Sequence, residues 1–475
     1  MDNKKPNIFI ICVDQLAWNA ISYYGNEYSN TPNIDRIADG GVGFSKTYTT
    51  YPMCQPSRAS FWSGLYPHET DVLANGDKWP VNNLSELVPT LGTLFKDDGY
   101  KTVHFGKKHD AGALNGFECA PEGQIKVKET SKAWPLNHDT FSDRYTTIKA
   151  KDFLINYDSN QQPFIMVADY VNPHNICGFV GEFKYDTEGI NPGVELPDLP
   201  ENFDFDDIEN RSKAVQYICC SHNRQAEAVG WDKKKFQYYL SAYYHYLERV
   251  DEEIGVLLDE LDRREDKNNT LIVFMSDHGD SMAARGRITK QVDFYEEVTR
   301  VPFIFKGPKV KSSVNPIGDS PVSLLDIVPT LCSYAGITYP KTLHGKNLLP
   351  AITGELELER DYVVSQWHTE WGYTISPGRM IRDSRYKYII YLEDSEEELY
   401  DLNIDPLEKK NVAKYPEYSD ALALMKQKFQ RYLLETNDPF ESLEWKVDPR
   451  WRSHEVGYQN HKGLAAMQAY KQENQ

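Results

Sequence analysis

Four short apolar runs in this chain share one property: each ends abruptly in charged or imidazole-bearing residues. Ile8 to Val13 gives way to Asp14-Gln15, and Thr102 to Phe105 to Gly106-Lys107-Lys108-His109. Phe164 to Val171 leads to Asn172-Pro173-His174, and Thr270 to Met275 to Ser276-Asp277-His278-Gly279-Asp280. None alternates cleanly between apolar and polar residues. A strand solvated on one face alternates with period two, whereas a continuous run marks a strand buried on both faces, as in a parallel sheet. Helical patterns separate the runs. Leu84 to Asp98 is one, and Gln237 to Arg264 carries Tyr243, Leu247, Val250, Ile254, Leu257 and Leu261 at helical spacing. Strand and helix in repetition predict an α/β fold: a large doubly wound, mostly parallel sheet with helices on both faces. In such sheets sites form outside the carboxyl ends of the strands. A single Asp after a strand is an ordinary turn, but four strand ends bringing carboxylate, Lys and His to one edge define a site.

At 475 residues the chain exceeds what one core holds. The expected division is a catalytic α/β domain over 1–355 and a C-terminal subdomain over 356–475. In the latter, Val363 to Trp367, Arg379 to Arg382, Arg385 to Tyr391 and Leu399 to Leu402 read as strands of a smaller antiparallel sheet. Tyr418 to Thr436 reads as its helix, and a tail follows. Residues 119–160 and 176–232, rich in Asn, Asp, Pro and Glu with few periodic stretches, are expected to be long insertions over the sheet. A formal charge of −19 argues against nucleic acid or an anionic membrane as partner, and no run approaches the length of a membrane span. Any positive charge the site needs must therefore be local.

The seven cysteines, Cys12, Cys54, Cys119, Cys177, Cys219, Cys220 and Cys332, are odd in number and irregularly spaced, which predicts no disulfide framework. Cys12 falls in the first strand and reads as core; the vicinal Cys219-Cys220 pair reads as packing. Met1 to Pro6 runs into the first strand without the apolar centre of a signal peptide. The chain as it stands is therefore expected in the cytoplasm, or in the periplasm or secreted where a leader has been removed.

Between the first two runs lies Pro52-Met53-Cys54-Gln55-Pro56-Ser57-Arg58-Ala59-Ser60-Phe61-Trp62-Ser63-Gly64. Pro56 suits a first helical turn, where its missing N–H is no loss, and Gly64 fits a stop. Cys54 then sits at a helix N-terminus, where free N–H groups and the dipole favour negative charge, with Arg58 one turn on. Alone, this is equally a capped helix with a buried cysteine. Asp14, Asp277 and the amide oxygen of Gln15 are hard donors that, with His278, could hold a divalent cation; Ca²⁺ takes a larger oxygen shell than Mg²⁺. Alone, Asp14-Gln15 is equally a strand-end turn, and Lys107, His109, His174 and Lys290, each taken alone, read as solvated surface residues.

The string Cys54-x-Pro-Ser-Arg with Ser63-Gly64 resembles the maturation signature of type I sulfatases, a family of the alkaline phosphatase superfamily. Gly106-Lys107-Lys108-His109 resembles that family's Gly-Lys-x-His element, and Pro173-His174 its Pro-His pair. Lys290 with Tyr295-Glu296-Glu297 and Arg300-Val301-Pro302 resembles its catalytic lysine and the element that follows. Thr31-Pro32-Asn33-Ile34-Asp35-Arg36, Asp326-Ile327-Val328-Pro329-Thr330, His344-Gly345 and Glu398-Leu399-Tyr400-Asp401-Leu402 extend the resemblance over most of the chain.

The resemblance implies a sulfuric ester hydrolase acting on a sulfated saccharide. A formylglycine-generating maturase would convert Cys54 to Cα-formylglycine, whose hydrated aldehyde attacks sulfur. The resulting sulfate ester breaks down by elimination, with His109 orienting the diol and serving as base. Ca²⁺, or Mg²⁺ as the other candidate, would be held by Asp14, Gln15, Asp277, His278 and residue 54. Arg58, Lys107 and Lys290 would stabilise the sulfuryl oxygens, and His174 or Lys290 would protonate the leaving oxygen. Three departures stand out: Ser63 where Thr is usual, Lys108 where Trp is common, and Gln15 where many members have Asp. The Gln removes a negative charge, which should weaken the hold on the ion and sharpen the ion's pull on sulfate.

Asp14-Gln15, the Lys107/His109 pair and Asp277-His278 ahead of Lys290 together resemble bacterial 2-O-sulfatases acting on the unsaturated uronic acid of heparin and heparan sulfate oligosaccharides. An Asp-Gln pair also occurs in choline sulfatases and phosphonate monoester hydrolases. A 6-O- or N-sulfatase, a phosphodiesterase, and a silent sulfoglycan-binding protein whose Cys54 is never oxidised stay open as readings. A uronate carboxylate needs a further cation, for which Lys108, Arg224 and Arg450-Trp451-Arg452 are candidates.

Overall fold

The computed structural model describes residues 4–76, 82–123, 125–126, 140–182, 195–203, 212, 228, 231–290, 293–368, 376–392 and 397–443. Cys219, Cys220, Arg224 and Arg450-Trp451-Arg452 lie outside the described residues, as does much of the two expected insertions.

The larger sheet is built from β1 (Asn7–Asp14), β2 (Gly41–Gly43), β3 (Lys101–Gly106), β4 (Glu118–Cys119), β5 (Phe164–Pro173), β6 (Thr270–Ser276) and β7 (Phe303–Lys306). Their spatial order is β2-β7-β6-β1-β5-β3-β4. The four apolar runs are therefore the adjacent strands β6-β1-β5-β3, all parallel, while β7 runs antiparallel to both its neighbours. The absence of alternation in these runs has its cause here, because both faces are covered. Phe9, Ile11 and Val13 point into one core with Met166 and Phe274. Ile8, Ile10 and Cys12 point into the other with Val167 and Val273. Each large side chain so buried contributes about 1.5–3 kcal/mol.

The helices packed on this sheet, among the described residues, include α1 (Pro32–Ala38), α2 (Cys54–Ser63), α3 (Leu91–Asp97), α4 (Ser142–Asn156), α5 (Lys233–Arg263) and α6 (Ile327–Ala335). Helices α1, α4 and α5 bury against the first face, and α2, α3 and α6 against the second. Helix α5 begins at Asp232, whose side chain accepts the Lys235 N–H.

Two expectations need correction. The helix expected over Leu84–Asp98 is confined to Leu91–Asp97, because Pro89 biases its neighbour away from helical backbone and Thr90 supplies the N-cap, accepting the Thr93 N–H at 3.2 Å. The segment 119–160 is not irregular throughout: Ser142–Asn156 is helical and inserts Ala150 and Leu154 into the first core. Its polar composition belongs to the outer face.

The second sheet follows in sequence order, β8 (Val363–Trp367), β9 (Gly378–Arg382), β10 (Tyr386–Tyr391) and β11 (Glu398–Asp401), all antiparallel. Helix α7 (Ser419–Thr436) sets Met425, Phe429 and Tyr432 against Val364, Ile381, Tyr388 and Leu399. Lys387 of β10 ties this sheet to the larger body, with its ammonium 2.8 Å from Glu296 and 2.7 Å from Glu408. Cys12, Cys54, Cys119, Cys177 and Cys332 are free thiols. Among the described residues no helix is long and apolar enough to cross a membrane.

Candidate active site

The parallel register brings the polar strand ends together. Val13 pairs with Ser276, Asp14 with Pro173 and Gly106 with Asp169, so Asp14, Lys107, His174 and Asp277 leave the sheet at one edge. Two glycines allow the close approach. A Cβ on Gly106, at φ +104°, would lie 1.9 Å from the Asp169 carbonyl oxygen, the same oxygen that accepts the Lys107 N–H at 3.0 Å. A Cβ on Gly279 would lie 2.0 Å from the Glu297 carbonyl oxygen, and the Gly279 N–H donates to Val298 at 2.7 Å. The Asp277-to-Asp280 turn is thereby folded onto the Glu296–Thr299 helix.

Helix α2 presents Cys54 as its first residue. Asn75 accepts the next free N–H, that of Gln55, at 2.9 Å, and the Ser57 hydroxyl donates to the Asp277 carbonyl at 2.7 Å. Gly64 ends the helix in the left-handed region at φ +76°. Cys54 Sγ is buried 3.0 Å from the Lys290 ammonium, 3.2 Å from His278 Nε2 and 3.7 Å from Asp14 Oδ1. His278 Nδ1 lies 2.9 Å from the Gly279 carbonyl. A carbonyl can only accept, so Nδ1 carries a proton, and Nε2 is the ring atom that faces Cys54. Burial would raise the thiol, yet Lys290 and His278 bring it down to about 6.

Charge is concentrated around this point. Arg58 donates through Nε to Asp277 Oδ2 at 2.9 Å and through Nη1 to Asp169 Oδ2 at 2.6 Å. Its Nη2 makes no hydrogen bond among the described residues and stands 4.0 Å from Asp14 Oδ2. Lys107 pairs with that same Asp14 oxygen. Asp277 Oδ1 accepts the N–H groups of Gln15 at 3.0 Å and His278 at 2.9 Å. Burial alone would raise this carboxyl, but the surrounding His278, Arg58, Lys107 and Lys290 hold it well below the usual range. Burial lowers the Lys107 ammonium to about 8. His109 is brought down to about 3, by burial first and then by Lys107, Arg58 and Lys290, so it is an uncharged acceptor at neutral pH.

Asp14, Asp169, Asp277 and Asp280, all wholly buried, carry four formal negative charges against three on Arg58, Lys107 and Lys290. A buried net negative charge is costly, and a cation fits here. Asp14, Cys54, Asp277 and His278 offer donor atoms that all lie within 4.8 Å of one another. The amide oxygen of Gln15 adds a further hard donor beside Lys290, at 2.7 Å.

The structure thus gathers Asp14, Gln15, Cys54, Arg58, Lys107, Asp277, His278 and Lys290 around one point, with His109 within the field of its cations. His174 follows β5 directly, its backbone fixed by Val171 and Cys177 in the turn into the helix Ile176–Glu182. Lys108, next to Lys107, is half-buried, with its N–H donating to Glu122 at 3.0 Å. Sequence reasoning passed over Asp169, Asp280, Asn75 and Tyr239. A signal existed for Asp169, which interrupts the otherwise apolar Phe164–Val171 run, and for Asp280, which ends the Ser276–Asp280 string. Tyr243 entered it only as a core residue of the long helix, yet its hydroxyl donates to the Gln15 carbonyl at 2.6 Å.

The family model described as Sulfatase matches residues 6–337, and that of N-sulphoglucosamine sulphohydrolase, C-terminal, matches residues 288–435. Over 479 residues the chain is 43% identical to a Delta 4,5-hexuronate-2-O-sulfatase of Bacteroides thetaiotaomicron, covering 98% of this chain and 97% of that protein. It is 30% identical over 484 residues to an uncharacterized sulfatase of Escherichia coli, covering 94% and 91% respectively. A solved structure of a 2-O GAG sulfatase superposes with a TM-score of 0.89 at 42% identity, over 94% of this chain and 96% of that one. The family match spans the strand ends, the Cys54 helix and the buried charge cluster alike: the chain belongs to the sulfatase family and is a sulfuric ester hydrolase.

Proposed function

We propose that this sulfatase removes the 2-O-sulfate from the unsaturated uronic acid of heparin and heparan sulfate oligosaccharides. The observation that carries the reading is the 43% identity, along nearly the whole of both chains, to an enzyme named for that reaction. The Asp14-Gln15 and Asp277-His278 pairs around Cys54 agree with it.

In this reading a formylglycine-generating maturase would oxidise Cys54, and Asp14, Gln15, Asp277, His278 and the residue-54 oxygen would hold Ca²⁺. The matured residue would supply a hydrated-aldehyde nucleophile, and the ion would supply positive charge to offset that of the sulfate. The chain's own groups do the rest. Lys290 and His278, now 3.0 and 3.2 Å from Sγ, face an oxygen on residue 54 and fix its direction. Lys107 and the free Nη2 of Arg58 are the donors for sulfuryl oxygens, preorganised by the carboxylates that hold them. His109, uncharged, accepts the diol proton. His174, at the end of β5, protonates the departing uronate oxygen. One divalent ion turns the site's formal charge from minus one to plus one, which a sulfate monoester anion neutralises.

The test is a panel of unsaturated disaccharides, each carrying a single 2-O-, 6-O- or N-sulfate, given to protein co-expressed with a maturase. Desulfation confined to the 2-O isomer is expected; turnover of the 6-O or N isomers with the 2-O isomer untouched overturns the assignment. Peptide mass spectrometry across residue 54 reads the maturation directly, as loss of H₂S and gain of O.

A further inference from the structure

Gln15 is the amide among the candidate ion ligands, and its surroundings hold it on every side. Its backbone is locked in the left-handed region at φ +67°. The N–H donates to Asp277 Oδ1 at 3.0 Å, and the carbonyl accepts the Tyr243 hydroxyl at 2.6 Å. In the side chain, Nε2 donates to Asp280 Oδ2 at 2.7 Å. Oε1 accepts from the Lys290 ammonium at 2.7 Å and faces Cys177 Sγ at 3.4 Å.

The two ends of an amide are alike in shape and opposite in hydrogen-bond sense. An ammonium can only donate and a carboxylate can only accept. Turning the Gln15 amide over would set donor against donor at Lys290 and acceptor against acceptor at Asp280. Asp280 is itself held as an acceptor. Oδ1 takes the Met282 N–H at 2.8 Å, and the Tyr239 hydroxyl lies 2.8 Å from both carboxylate oxygens. That hydroxyl accepts the Thr289 N–H at 2.8 Å, which leaves its own proton for Asp280. Tyr239 and Tyr243, four residues apart, share one face of α5. One helix stripe therefore fixes both the backbone of Gln15 and the partner of its side chain.

We propose that Asp280 is a positioning residue of the ion site, which orients the Gln15 amide so that its carbonyl oxygen, not its nitrogen, faces Lys290 and the cation ligands. This rests on the reading of Gln15 as an ion ligand. Gln15 and Asp280 are then a matched pair. A carboxylate at position 15 would meet the carboxylate of Asp280, whereas the amide lets that negative charge stand one layer behind the candidate ligands.

A charge exchange tests the pair. In Asp280→Asn, Oδ1 keeps the Met282 N–H and the new Nδ2 faces the Gln15 donor. In Gln15→Glu, two carboxylates face each other. In Gln15→Glu/Asp280→Asn a donor meets an acceptor again, and the second carboxylate oxygen at position 15 faces Lys290. The readouts are Ca²⁺ affinity by calorimetry and the unfolding midpoint of metal-free protein. Each single variant is expected to weaken Ca²⁺ binding by about tenfold or more, the usual scale for a group that orients a metal ligand, and to lower the midpoint. The double variant is expected to recover both. An Asp280→Asn protein with native affinity and midpoint overturns the proposal, as does a double variant no better than the worse single. Should the native protein bind no Ca²⁺, the ion reading fails, while the metal-free midpoints still decide the pairing. Should Asp280→Asn not fold, Tyr239→Phe decides: a severalfold loss of affinity or a lower metal-free midpoint supports the proposal, and native values of both overturn it.

Discussion

Arg58 and Arg379 are both buried arginines paired with aspartates, one at the edge of the large sheet and one in the small sheet. Arg379 is closed. Nε and Nη2 grip the two oxygens of Asp438 at 2.7 and 2.8 Å. Nη1 donates to the carbonyls of Trp367 and Gly378, and Nη2 also meets His368 at 3.1 Å. All five donors of the fork are used inside the protein. Arg58 is open: Nε and Nη1 are held by Asp277 and Asp169, but Nη2 is left without a hydrogen bond among the described residues. A closed fork fixes β9 against the turn after α7 and has nothing to offer a ligand. An open fork, held in place by two carboxylates, keeps an unused donor 4.0 Å from Asp14 Oδ2. Burial and charge are common to both; the unused donor distinguishes Arg58, at the proposed reaction centre, from Arg379.

The sharpest break of that contrast is at the point the open cluster faces. Cys54→Ala is expected to lower kcat about a millionfold, the scale of losing a covalent nucleophile, with a native unfolding midpoint. Turnover of sulfate esters by that variant ends the mechanism. On the closed side the effect inverts. Asp438→Ala strands Arg379 in the core and is expected to cost about 3–5 kcal/mol of stability, with the kcat of folded protein near native. Urea unfolding and active-site titration separate the two, and a native unfolding curve refutes the structural assignment. Arg58→Lys keeps the charge and loses the fork. A fall in kcat of about 10²- to 10³-fold is expected, the range for one lost transition-state donor, and a native kcat removes Arg58 from the reaction.

How far the sequence revealed these two regions differs for physical reasons. The large sheet was legible because strands buried on both faces must be apolar throughout, and because a parallel register forces their polar ends to one edge. Local signals placed Asp14 and Asp277 where an apolar run stops and Cys54 where a helix begins, while the chemistry expected of them came from the resemblance of the surrounding motifs. Asp280 and Tyr239 were not, since their roles lie in hydrogen bonds between elements far apart in sequence, which no local pattern records. A tyrosine on the buried face of a long helix looks the same whether it packs or donates. Likewise no local pattern marks Arg379, in a predicted strand, as buried; its partner Asp438 comes from beyond the end of α7.

The smallest expected effect tests the closed side alone, through pH. Burial works against ionisation of Asp438, but Arg379 outweighs it and holds the carboxyl at about 2, against an ordinary value of 3.8. The folded state thus binds the Asp438 proton less readily than the unfolded state does. This carboxylate adds stability that is fully present above pH 3.8 and is lost as pH falls from there through the folded value. The contribution is about 2 kcal/mol. Asp438→Asn has no proton to take up in that window. In urea unfolding, the stability difference between native protein and Asp438→Asn is expected to be flat from neutral pH down to about 4. It should then shrink by up to about 2 kcal/mol toward about pH 2. A difference that stays constant through the window would mean that Asp438 is not held as an anion by Arg379, and the closed fork would lose its electrostatic basis.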